Sequence, residues 1–147
     1  MNKNKIIDYA IALTRIYLAL FFLISGLNKI NHLNEFAQSI ENYRILPIGF
    51  VNIFAIIFPW LEVISGGLLL IGVFIKENSS IILGLLVIFT LAVASAYFRG
   101  ININCGCSTT LVDQKVGLLK IIENIALLIV AFINFKLPDQ ILRLLKI

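Results

Sequence analysis

The sequence predicts an all-α protein: a four-helix transmembrane bundle with a short amphipathic interfacial helix between spans one and two. Three observations carry that prediction. Of 147 residues, 60% are hydrophobic and only 14% are charged, and the mean hydropathy is +0.99, too apolar for a water-soluble domain of this size. The apolar residues gather in four stretches, each close to the roughly 17–25 residues a helix needs to cross the hydrocarbon layer. The connections between them are short and polar. Residues 1–147 therefore read as a single transmembrane domain, without internal repeats or low-complexity tracts.

Span one runs from about residue 6 to 27. It has the length of a full span and no small-residue cleavage site follows it, so it is expected to stay as a membrane anchor. Beyond it, Leu33, Phe36, Ala37, Ile40 and Tyr43 recur at helical spacing, with Glu35, Gln38, Ser39 and Glu41 elsewhere. That pattern predicts an amphipathic helix lying at the interface and ending near Pro47; an irregular loop is the alternative. Span two, about residues 50–75, holds Pro59, which removes a backbone donor, and Gly66-Gly67, which permits close helix approach. Lys76-Glu77-Asn78-Ser79-Ser80 is expected to form a tight polar turn that makes spans two and three antiparallel neighbours. Span three covers about 81–98, and the connection from 99 to 115 carries both cysteines. Span four, about 116–135, contains Lys120 and Glu123; near the helix start, Lys120 can snorkel to the headgroups.

The formal net charge is +4. The twelve Lys and Arg residues are scattered, with no basic stripe interleaved with aromatics, which argues against nucleic-acid binding. They read instead as charges flanking membrane spans. An even number of spans puts both termini on one side. Lys3, Lys5, Lys76, Lys136, Arg143 and Lys146, six residues, share that side against five, Lys29, Arg44, Arg99, Lys115 and Lys120, on the other. The positive-inside rule then slightly favours cytoplasmic termini, with Cys105 and Cys107 on the outer face of a cell membrane, the inner membrane of a bacterium.

Asn104-Cys105-Gly106-Cys107 is the sharpest chemical feature. Two cysteines cannot staple a disulfide scaffold. Gly106 eases the backbone turn that a bridge between them would need. So small a ring restricts the unfolded chain little, and strained rings are easily reduced, which suits exchange chemistry better than stabilisation. Incidental loop thiols are one alternative. A metal site is another: two thiolates and His32 would give three ligands, but a CxC without a second cysteine pair is a weak signal, and no metal is expected. Within the spans, Arg15 and Glu62 are costly charges that should face the interior. Their opposite signs suggest a pair, either a structural salt bridge or a polar centre for a proton or a cofactor head group, which Glu123 and Asn124 could join.

Arg15, Ser25-Gly26 with Lys29, Pro59-Trp60-Leu61-Glu62 and Cys105-Gly106-Cys107 occur in the order seen in the DoxX-like membrane proteins, and the chain most resembles their MauE branch, the methylamine utilisation proteins. The likeness extends from span one through span four. It implies a four-helix membrane protein tied to redox biology, acting with a thioredoxin-like partner in maturing the disulfide-rich small subunit of methylamine dehydrogenase. Two positions depart from the pattern. Ser108-Thr109 stands where the family often has Phe-Gly, and Glu123-Asn124 where it often has Arg-Asn.

Three functions compete. The first is a thiol-disulfide relay in which Cys105 and Cys107 cycle for the maturation of exported proteins, with Arg99 favouring the thiolate and a quinone as a conceivable electron acceptor. The second is a non-enzymatic assembly factor that holds a client or partner at the membrane. The third is a small transporter lined by Arg15, Glu62 and Glu123.

Overall fold

Long apolar runs propagate as helix in lipid, even through Pro59 and Gly66-Gly67 of the third element, because no other partner exists there for backbone N–H and C=O groups. The computed structural model describes residues 3–101 and 117–137, and all regular structure among them is helical. The elements are α1 (Lys3–Asn31), α2 (Leu33–Asn42), α3 (Ile48–Ile71), α4 (Ile75–Phe98) and α5 (Leu118–Lys136). Four of them, α1, α3, α4 and α5, are long and apolar enough to cross a membrane.

The four long helices close a ring in which α1 packs on α3, α3 on α4, α4 on α5 and α5 back on α1. The main apolar core draws on all four, with Leu18, Leu69, Ile82 and Ala131 wholly enclosed. The closest packing joins α1 and α3. A Cβ on Gly26 would stand 2.9 Å from the Pro59 carbonyl oxygen, and one on Gly66 would stand 3.0 Å from the Ala19 carbonyl oxygen and 3.1 Å from the Leu23 nitrogen. Only a hydrogen fits at either place. Gly67 meets nothing closer than Leu23 Cδ2 at 3.9 Å, so the contact glycines are Gly26 and Gly66 rather than the adjacent pair.

The turn between α3 and α4 lies earlier than the polarity of Lys76–Ser80 suggests. Gly72, at φ +86°, caps α3, and the N–H groups of Gly72 and Val73 both bond the Leu68 carbonyl, at 3.0 and 3.1 Å. Glycine takes this left-handed conformation at no steric cost. Asn78 Nδ2 donates to the Val73 carbonyl at 2.8 Å and closes the turn. Lys76–Ser80 thus forms the start of α4, where Glu77 suits the positive end of the helix dipole.

The amphipathic helix is present as α2. It packs on α3 with Phe36 buried, and Tyr43 at its end joins Val93 and Ala96 of α4 in a second apolar cluster. Its outer face keeps Glu35, Gln38 and Glu41 exposed.

Candidate functional site

Ten polar or charged side chains are buried among the described residues, and five of them are Arg15, Lys29, Glu62, Lys120 and Asn124. Helical spacing explains why they point inward. On α1 the enclosed residues Ile11, Arg15, Leu18, Phe22, Ser25 and Lys29 alternate by four and three along one face. On α5, Lys120, Asn124, Leu127, Ala131 and Asn134 do the same.

Glu62 is fully enclosed, and its partner is Lys29: Nζ stands 2.6 Å from Oε1. The same ammonium lies 4.4 Å from the Phe89 ring centroid and 5.1 Å from that of Phe36, and Phe58 meets Phe89 edge-on at 5.8 Å. Lys29 is therefore held by one carboxylate oxygen and two aromatic faces, whose quadrupoles attract a cation. Helices α1, α2, α3 and α4 all contribute. Oε2 of Glu62 is buried without a hydrogen-bond partner, an acceptor on an enclosed, charged centre. Such a centre can hold a proton or accept a bond from a hydroxyl.

The expected pairing of Arg15 with Glu62 does not form. Gly26 lies against Glu62, and Arg15 is eleven residues earlier on α1, about 16 Å along the axis at 1.5 Å per residue. Arg15 is 7% exposed, and its Nε and Nη1 have no hydrogen-bond partner. Thr14 beside it meets Asn134 Nδ2 of α5 at 3.5 Å.

At the start of α5, Lys120 is buried and donates to Glu123 Oε2 at 3.0 Å, while the Glu123 side chain is 43% exposed. Glu123 thus faces the rim, whereas Asn124 is buried with Nδ2 unpartnered. The structure brings together neither Arg15 with Glu62 nor Glu123 with the Lys29 centre. Cys105 and Cys107 lie outside the described residues, in the stretch between α4 and α5. Where α4 ends, Arg99 donates to the Tyr43 carbonyl through Nη2 and to the Ser95 carbonyl through Nε at 3.3 Å. His32 precedes α2, with Nδ1 3.1 Å from the Asn28 carbonyl oxygen.

Sequence reasoning took Lys29 as a charge flanking a span and Lys120 as a headgroup contact, and missed their burial. The signal was their place in the four-and-three register with Phe22 and Ser25, and with Asn124 and Leu127.

Comparison with known proteins adds a family. The model described as methylamine utilisation protein MauE matches residues 7–137. Methylamine utilization protein MauE of Paracoccus denitrificans is 31% identical over 114 residues, 77% of this chain and 61% of the relative. Its counterpart in Methylorubrum extorquens is 32% identical over 120 residues, 80% of this chain and 64% of the relative. That of Methylophilus methylotrophus is 27% identical over 114 residues, 76% and 60% respectively. The chain spans about three-fifths of the length of these curated relatives. No solved structure matches it significantly.

Proposed function

The chain belongs to the methylamine utilisation protein MauE family, and from that membership we propose that it is a membrane thiol-disulfide relay for the maturation of exported proteins. The observation that carries this reading is the Cys105-Gly106-Cys107 sequence in the connection between two candidate spans. A redox pair placed there meets clients at the membrane edge, while the bundle anchors it. Kinship with the DoxX-like proteins, a single domain over residues 1–147 and a thioredoxin-like partner belong to the same proposal.

The exchange balances as follows. A client thiolate attacks one sulfur of the Cys105–Cys107 disulfide, forming a mixed disulfide and releasing the other sulfur as thiolate. The client's second thiolate attacks the mixed disulfide, so the client leaves oxidised by two electrons and the pair is reduced by two. The disulfide of a thioredoxin-like partner takes those two electrons and restores the pair. Arg99 supplies a positive charge near the start of the connection, which favours the thiolate form.

Burial of Lys29 and Lys120 supports the orientation that oxidative maturation needs. Both were counted with the cysteine side, and five minus two leaves three, Arg44, Arg99 and Lys115, against six on the side of the termini. The wider imbalance favours cytoplasmic termini and an outward-facing cysteine pair in a bacterial inner membrane.

Thiol trapping in intact membranes tests the relay. Cys105 and Cys107 are expected to shift between disulfide and dithiol as the external redox poise changes, and Cys105→Ser or Cys107→Ser to accumulate a mixed disulfide with a partner. If the double Cys→Ser variant retains full client maturation, the relay is wrong and an assembly factor takes its place.

A further inference from the structure

We propose that Arg15 anchors an anionic phosphate group at the end of the bundle that carries the termini, supplied by an anionic phospholipid headgroup or by a free phosphate ion. Three buried residues with unpartnered polar atoms border one core. Arg15 sits between Ile11 and Leu18 on α1, and its Nε and Nη1 lack partners. Ser79 sits between Ile75 and Ile82 on α4 and is wholly buried, with Oγ unpartnered. Asn134 follows Leu127 and Ala131 by the same spacing on α5 and is wholly buried, with Oδ1 unpartnered. All six apolar neighbours belong to the same core cluster, so three helices turn an unsatisfied polar atom toward one interior. A guanidinium with two buried nitrogens unpaired among apolar walls is disfavoured unless an anion meets it.

Depth identifies the class of anion. Gly66 lies against the stretch from Ala19 to Leu23. Arg15 is six residues before the middle of that stretch, and Gly72, the C-cap of α3, is six residues beyond Gly66 on the antiparallel helix. Arg15 is therefore level with the α3–α4 turn rather than with mid-bundle. Tyr9 and Tyr17, 62% and 58% exposed, flank it on the outer face of α1, and exposed tyrosines mark the membrane–water boundary. Headgroup phosphates occupy that depth. Nε and Nη1 donate from different edges of the guanidinium, so one phosphate meets one of them, through a charge-assisted bond. A phosphate O–H or a headgroup hydroxyl would supply the donor that Asn134 Oδ1 needs, and Ser79 can donate to a phosphate oxygen. The site is distinct from the cysteine connection and does not depend on the relay.

The test uses the full chain in dodecyl maltoside, a detergent without phosphate, alone or with either phosphatidylglycerol or inorganic phosphate added, reading retained lipid by native mass spectrometry together with the thermal midpoint. Retention of phosphatidylglycerol with a raised midpoint is expected if the source is lipid; a raised midpoint with inorganic phosphate alone assigns the free ion. Arg15→Gln should weaken either effect about tenfold or more, and Arg15→Lys should weaken it less. Should Arg15→Gln fail to fold, Ser79→Ala keeps the charge and is expected to weaken binding severalfold. No response to either additive overturns the proposal, as does an equal loss in the Lys3→Gln/Lys5→Gln control, which would mean diffuse surface attraction.

Discussion

Lys29 and Arg15 are buried cations on the same face of the same helix, fourteen residues apart, yet they are met in opposite ways. Lys29 has a carboxylate at 2.6 Å and two aromatic faces around its ammonium. Arg15 has two guanidinium nitrogens without partners. Burial alone therefore does not tell what a charge in a bundle is for. A charge answered by its own chain holds helices in register, and one left unanswered is open to a group from outside.

The largest effect should come from breaking the answered charge. Glu62→Leu leaves the Lys29 ammonium buried without its counter-ion and is expected to lower stability by about 3–5 kcal/mol, measured as equilibrium unfolding in mild detergent. Adding Lys29→Met should recover most of that loss, because removing both charges removes the penalty. A single variant as stable as the parent would erase the contrast between the two cations.

Arg15→Leu sharpens the comparison by its sign. In a phosphate-free detergent it removes an unmatched charge, and stability is expected to rise by about 1–3 kcal/mol. A loss of that size in the same detergent would mean that Arg15 is already answered within the chain. The smallest effect belongs to the rim. Glu123→Gln breaks an i,i+3 pair between the buried Lys120 and the 43% exposed Glu123 and should lower stability by about 1 kcal/mol or less; a larger loss would move Glu123 into the class of Glu62.

Much of the architecture was legible because lipid imposes strict rules on a chain. Four apolar stretches of span length became α1, α3, α4 and α5, and the spacing of Leu33, Phe36 and Tyr43 foretold α2. The turn between α3 and α4 was misplaced because Lys76–Ser80 is polar, whereas the break is made by Gly72 and its left-handed backbone. Polarity marks where water is tolerated, and conformation marks where the helix stops.

The candidate site was less legible. In a soluble bundle, the apolar stripe of each helix points to the core. Here the lipid-facing residues are as apolar as the enclosed ones, with Leu13 72% exposed beside the buried Arg15, so hydropathy carries little directional signal. Only the polar residues betray the inside, and they do so through their register with one another, as Arg15, Ser25 and Lys29 do on α1.

The sequence by itself determined that the chain enters a membrane, how many long helices it makes and which ionisable residues sit within them, since these follow from length, hydropathy and the cost of unpaired peptide groups in hydrocarbon. Tertiary structure alone decided which charges meet. The close contact of α1 with α3 at Gly26 and Gly66 sets the register that gives Glu62 to Lys29 and leaves Arg15 about 16 Å away along the helix axis, and partnership between charges depends on that register rather than on sign.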